Sequence, residues 1–164
     1  GLPSADAKAT LRVAGGRPED ALQLANTGLK AAQWSGFPLM VSRGQLAALA
    51  HLTPAQAIDR LQKLCHDMLA LHAGATPRFF EAADLQAVIG NARSASSKSS
   101  ALVPPSAPTT LAALGSSNEQ PSAAIYPLTQ WAKDLMEAAR TAQHPYNPGL
   151  MLEALMAQAQ QALR

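Results

Sequence analysis

Three features of the chain predict an all-α fold, a helical bundle. Alanine and leucine dominate a composition that is 48% hydrophobic but only 4% aromatic, and these are the best apolar helix formers. Apolar residues recur at three- and four-residue spacing in several blocks, and the blocks open on proline or close on glycine. Nothing alternates with period two for long enough to make a strand. At 164 residues the chain suits one medium domain, or one domain with a fragment of another, and can bury a sizeable core.

Taken in order, Asp6 to Val13 reads as a short helix ended by Gly15-Gly16, because glycine tolerates the left-handed backbone that closes helices. Pro18 suits the first turn of a second helix, where its missing N–H has no partner to lose. Ala21, Leu22 and Ala25 form the apolar stripe of that helix, and Gly28 ends it. Residues 29–52 are helical but interrupted by Gly36, Pro38 and Gly44, so two short helices are expected there. Pro54 to His72 is the clearest element. Thr53 is a natural N-cap and Pro54 a natural first-turn residue. Ile58, Leu61, Leu64, Cys65, Met68 and Leu69 make one apolar face, and Gly74 and Pro77 terminate the helix. A shorter helix over Asp84 to Ala92 turns Leu85, Val88 and Ile89 inward.

Composition then changes. Residues 94–125 hold nine serines and four prolines against two charges, Lys98 and Glu119. Such a segment buries too little apolar surface to offset its ordering entropy, so a flexible Ser/Pro/Ala-rich insertion is expected, with a transient helical turn at Leu111 to Leu114. Order returns at Pro127 to Thr141, where Leu128, Trp131, Leu135 and Ala138 share a face. His-Pro-Tyr-Asn-Pro (144–148) breaks the chain. Asn147 caps the last helix and Pro148 starts it, with Leu152, Leu155, Met156 and Ala159 inward.

The net charge of +2 is mild, and no Lys/Arg cluster marks a dedicated nucleic-acid binder. Cys65 is alone, so neither a disulfide framework nor a cysteine-rich metal site is expected. No apolar run reaches the roughly 18 residues that span a bilayer, and no secretory signal opens the chain; the expectation is a soluble, cytoplasmic protein. The chain opens at Gly1 without Met, partway into a helical pattern, which reads as a piece of a longer polypeptide.

Reactive constellations are absent from the sequence. No phosphate-binding Gly-x-x-x-x-Gly-Lys-Ser/Thr loop occurs. Cys65 and His66 are adjacent, so on a helix they diverge by about 100°; His72, His51 and His144 fall elsewhere, and no metal or other cofactor is expected. The serines lie mainly in the insertion, where no rigid scaffold holds a base beside them. Glu19-Asp20 and Glu81/Asp84 stand at helix starts, where the helix dipole explains them better than acid–base catalysis does. Catalysis is therefore not expected of this chain.

Two regions carry a family resemblance. Leu11-Arg-Val-Ala-Gly-Gly-Arg-Pro-Glu-Asp-Ala-Leu22 looks like the end of the lid domain of AAA+ clamp-loader subunits. The blocks Leu61-Gln-Lys-Leu-Cys-His-Asp-Met-Leu-Ala-Leu71 and Trp131 to Leu163 are similar, in order and spacing, to the C-terminal collar domain of the delta-prime subunits of bacterial DNA polymerase III. The resemblance implies residues 1–28 as the end of a lid domain and 29–164 as a helical collar carrying the insertion at 94–125. It also implies an AAA+ core upstream of Gly1. ATP-hydrolysing members open the lid helix with Gly-Ser-x-Arg-Asp-Ala-Leu, the arginine reaching the nucleotide phosphates. Aligned on Asp20-Ala21-Leu22, that sensor-2 position is degenerate here, occupied by Glu19, whose carboxylate would repel a triphosphate. Arg17 is offset by two residues and solvates a helix start equally well.

The function the resemblance implies is a non-catalytic scaffold and oligomerisation domain. It would join gamma/tau and delta subunits in the clamp loader, a part of the nucleotidyltransferase holoenzyme that loads the sliding clamp in DNA replication. Primer-template DNA and the clamp would be met only through the whole complex. The scaffold reading predicts surplus apolar residues on one bundle face. Trp131, Arg140, His144 and Tyr146, near the break between the last two helices, are the candidate subunit-interface residues, though each could be intramolecular. The alternative is a stand-alone helical adaptor that binds a partner protein. A small helical enzyme comes third.

Overall fold

The computed structural model describes residues 3–99, 120–142 and 147–164, by backbone alone at 93–99 and 120–124. Among these residues there are seven α-helices and one 3-10 turn, and no strand. The helices are α1 (Ser4–Val13), α2 (Pro18–Asn26), α3 (Ala31–Ser42), α4 (Pro54–His72), α5 (Ala82–Ser99), α6 (Gln120–Thr141) and α7 (Pro148–Ala162), with the 3-10 turn at Leu46–Ala48. The all-α expectation holds.

α4 is the central strut. Its start is a complete capping box: Thr53 Oγ1 accepts the Gln56 N–H, and Gln56 Oε1 accepts the Thr53 N–H. Ile58, Leu61, Leu64, Cys65 and Met68 are buried and form the face read from the sequence. α6 lies along this face, with α7 and α5 also against α4. Leu128, Trp131 and Leu135 of α6 and Leu155, Met156 and Ala159 of α7 complete that side of the core. α3 packs on α5 and α7, and its Trp34 stacks on Phe80 at 4.4 Å between centroids, with Phe37 beside it at 5.9 Å. Val13 at the end of α1 joins the same apolar cluster.

Four expectations are corrected. Residues 29–52 do not make two short α-helices: α3 runs unbroken through Gly36 and Pro38, and only a 3-10 turn follows. Burial of Trp34, Phe37, Pro38 and Val41 on one side of α3 overrides the weak local propensity of Gly and Pro. Leu22 is not on the inward stripe of α2; it is 64% exposed, and Leu24 packs against the core instead. The helix over Asp84 to Ala92 starts earlier and extends to Ser99, and the one expected from Pro127 starts at Gln120. The two ends of the expected flexible insertion, 94–99 and 120–125, are therefore helical, and Pro127 sits inside α6. The rest of that insertion, with its Leu111 to Leu114 turn, lies outside the described residues.

Candidate interaction surface

The most elaborate local arrangement joins α4, the α4–α5 connection and the α1–α2 turn. Asp67 of α4 is fully buried. Its carboxylate accepts the backbone N–H of Arg78 (2.9 Å), Phe79 (2.6 Å) and Phe80 (2.8 Å), and one oxygen lies 2.9 Å from His66 Nδ1. A buried carboxylate is tolerated only when its lone pairs are satisfied this fully. The clamp sets the backbone of residues 78–80, and with it three side chains of different destiny. Phe80 goes into the core, Phe79 is half-buried, and Arg78 is exposed.

Arg78 Nη2 donates to the Gly15 carbonyl at 2.9 Å, a cation at the C-terminal end of α1, where the helix dipole favours it. Gly15 has φ 64°, a left-handed backbone that calls for glycine, and a Cβ there would also stand 3.2 Å from Arg78 Nη2. Arg12 of α1 pairs with Glu81. Asp6 Oδ1 accepts the Ala31 N–H at 2.9 Å, so a side chain of α1 caps the first turn of α3. Burial pushes the Asp84 carboxyl above its ordinary range, with the Arg12 charge working against that.

Between α2 and α4 lies an open cleft of about 460 Å³, with Val13, Leu24 and Phe79 among its walls and Arg17, Lys63 and Arg78 around it. Arg17 pairs with Asp20 at 3.3 Å and Lys63 with Asp59 at 2.6 Å. α2 packs on α1 and makes no other substantial helix contact among the described residues; it buries none of its own side chains.

Of the residues singled out from the sequence, Trp131 is 2% exposed and belongs to the chain's own core. Its indole Nε1 is buried with no hydrogen-bond partner among the described residues. Arg140 is exposed in the last turn of α6, and His144 and Tyr146 lie outside the described residues. Glu19 is exposed in the first turn of α2, next to the cleft but not lining it. Cys65 is buried, its Sγ 3.3 Å from the Leu128 carbonyl, and burial pushes the thiol up to about 12. No group of three His, Cys, Asp or Glu is arranged to hold a metal ion among the described residues. No described helix is long and apolar enough to cross a membrane.

The outward face of α6 carries a further feature. Tyr126 is 75% and Met136 54% exposed, and ten residues at 100° each put them within about 80° of one another, with Arg140 between them. Asp67, Arg78 and Phe79 escaped the sequence reading because their signal is a carboxylate inside an otherwise apolar stripe, which resembles a solvated position until its partners are in place. Comparison with known protein families, curated proteins and solved structures finds no match.

Proposed function

We propose that this chain is a non-catalytic scaffold, the collar of a delta-prime clamp-loader subunit that assembles with gamma/tau and delta subunits to load the sliding clamp on primed DNA. The observation that carries this reading is a pair of large apolar side chains on the outward face of α6: Tyr126 and Met136 stand exposed there beyond anything the core uses, at the two sides of an arc that also holds Thr129, Lys133 and Arg140. Large side chains displayed along a rigid helix are suited to helix-on-helix assembly, which buries apolar area while fixing geometry. The two blocks that carry the family resemblance fall on α4 and on α6–α7, and these helices lie against one another, so the resembling segments form one packed unit. A second reading, a helical adaptor that binds a partner peptide, is favoured by the open cleft between α2 and α4.

The test is to mix the chain with the purified gamma/tau collar of the same organism and measure mass by size exclusion with light scattering. A stable mixed complex supports the scaffold. No complex with gamma/tau alone, and none after the delta collar is added, leaves the adaptor reading.

A further inference from the structure

We propose that the cleft between α2 and α4 is a docking site for a short acidic segment of another protein chain, a carboxylate pairing with Arg78 and an adjacent apolar side chain lying on Phe79. The inference rests on the adaptor reading of this cleft, which it makes specific, and does not depend on the scaffold reading.

Charge is the first ground. Of the three cations around the cleft, Arg17 and Lys63 already hold carboxylates. Arg78 has no carboxylate partner among the described residues; one nitrogen of its guanidinium is engaged, by the neutral Gly15 carbonyl. A guanidinium offers five N–H donors in a fixed fork that matches a carboxylate, so most of that fork is open to an incoming acceptor. Phe79 adds to this. Arg78 lies 5.6 Å and Lys63 5.8 Å from its ring centroid, and His66 meets it edge-on at 5.6 Å. The half-buried ring is thus an apolar platform with two cations beside it.

Rigidity is the second ground. The Asp67 carboxylate ties down the N–H groups of residues 78–80, so Arg78 and Phe79 project from a backbone that is already ordered. A preorganised site loses less freedom on binding. The facing wall is α2, which buries no side chain and can adjust to an occupant.

The choice of partner follows from the remaining walls. Asp20 and Asp59 also line the cleft. They would repel a polyphosphate backbone running past them, whereas one or two carboxylates can be placed away from them. Leu24 and Phe79, both only partly buried, offer apolar surface that a side chain can cover and a sugar-phosphate cannot.

The experiment is a titration of the isotope-labelled chain, followed by amide chemical shifts, with the blocked tetrapeptide Ac-Leu-Asp-Glu-Leu-NH2 and with its neutral counterpart Ac-Leu-Asn-Gln-Leu-NH2. The acidic peptide is expected to shift the amides of residues 15–17, 63 and 78–79, more weakly as salt is raised, and the neutral peptide to leave them in place. Arg78→Gln should weaken the acidic peptide about tenfold, the loss of one charge-assisted bidentate contact. Arg78→Lys, which keeps the charge, should retain part of the affinity. Should Arg78→Gln fail to fold, the lysine variant and the salt dependence carry the test. Equal binding of both peptides, shifts confined to another face, no shift at millimolar peptide, or an unchanged affinity in Arg78→Gln would each overturn the proposal.

Discussion

Asp67 decides how the chain leaves α4. Its carboxylate replaces the water that the amides of residues 78–80 would otherwise need, and it does so at zero exposure. Hydrogen bonds to a charged acceptor contribute about 1.5–3 kcal/mol each. Asp67→Ala should therefore lower the unfolding free energy in urea by about 3–5 kcal/mol, with Asp67→Asn losing less because one carbonyl acceptor survives. A loss below about 1 kcal/mol for the alanine variant would mean the clamp is dispensable. Cys65 supplies a pH-dependent counterpart. Its ordinary value of 9.0 is pushed up to about 12 by burial, so the folded state holds the thiol proton that the unfolded chain releases. The stability this contributes is complete below pH 9.0 and falls as pH rises towards about 12. Cys65→Ser, which does not titrate, should flatten the stability profile over that interval relative to the parent chain. The thiol should also resist a disulfide reagent at neutral pH until the protein is unfolded.

At the scale of the element, glycine has opposite meanings at two places in and after α3. Gly36 is helical, with open space where a Cβ would be. Gly36→Ala should stabilise the protein by about 0.5–1 kcal/mol, read as a rise in melting temperature, because alanine loses less backbone entropy. Gly44 follows the helix with φ 68°, and a Cβ there would stand 2.9 Å from the Gln160 side chain. Gly44→Ala should destabilise by about 1 kcal/mol or more. α4 answers to local chemistry. Thr53→Ala removes the side-chain half of the capping box and should cost about 1 kcal/mol. Pro127 behaves differently from what its sequence position suggests. It starts no helix, since α6 begins at Gln120 and continues past it, forfeiting one helical hydrogen bond while Leu128, Trp131 and Leu135 anchor the helix to the core.

For the whole molecule, the division between core and display runs along α6. Its inner arc is buried against α4, and its outer arc shows Tyr126 and Met136. Met136→Asp should leave the melting temperature of the isolated chain nearly unchanged, as surface substitutions do, yet prevent the mixed complex that the scaffold reading calls for. Leu61→Ala, at the α4 core face with zero exposure, should instead lower stability by about 2–5 kcal/mol.

What the sequence determined by itself is the part of the fold written within three or four residues: the all-α class, the limits and inward face of α4, the Asn147–Pro148 start of α7 and the glycine stops after α1 and α2. Helical periodicity and caps act over one turn, so they can be read without knowing the neighbours. Tertiary structure decided the rest. It carried α3 through Gly36 and Pro38, turned Leu22 out and Leu24 in, and assigned Trp131 to the chain's own core rather than to an interface. It also built the clamp and the cleft, where Asp67 meets backbone 11 to 13 residues away and Arg78 meets Gly15 across 63 residues. Contacts at those separations leave no periodic trace, because their stabilisation depends on burial that exists only once the helices have packed.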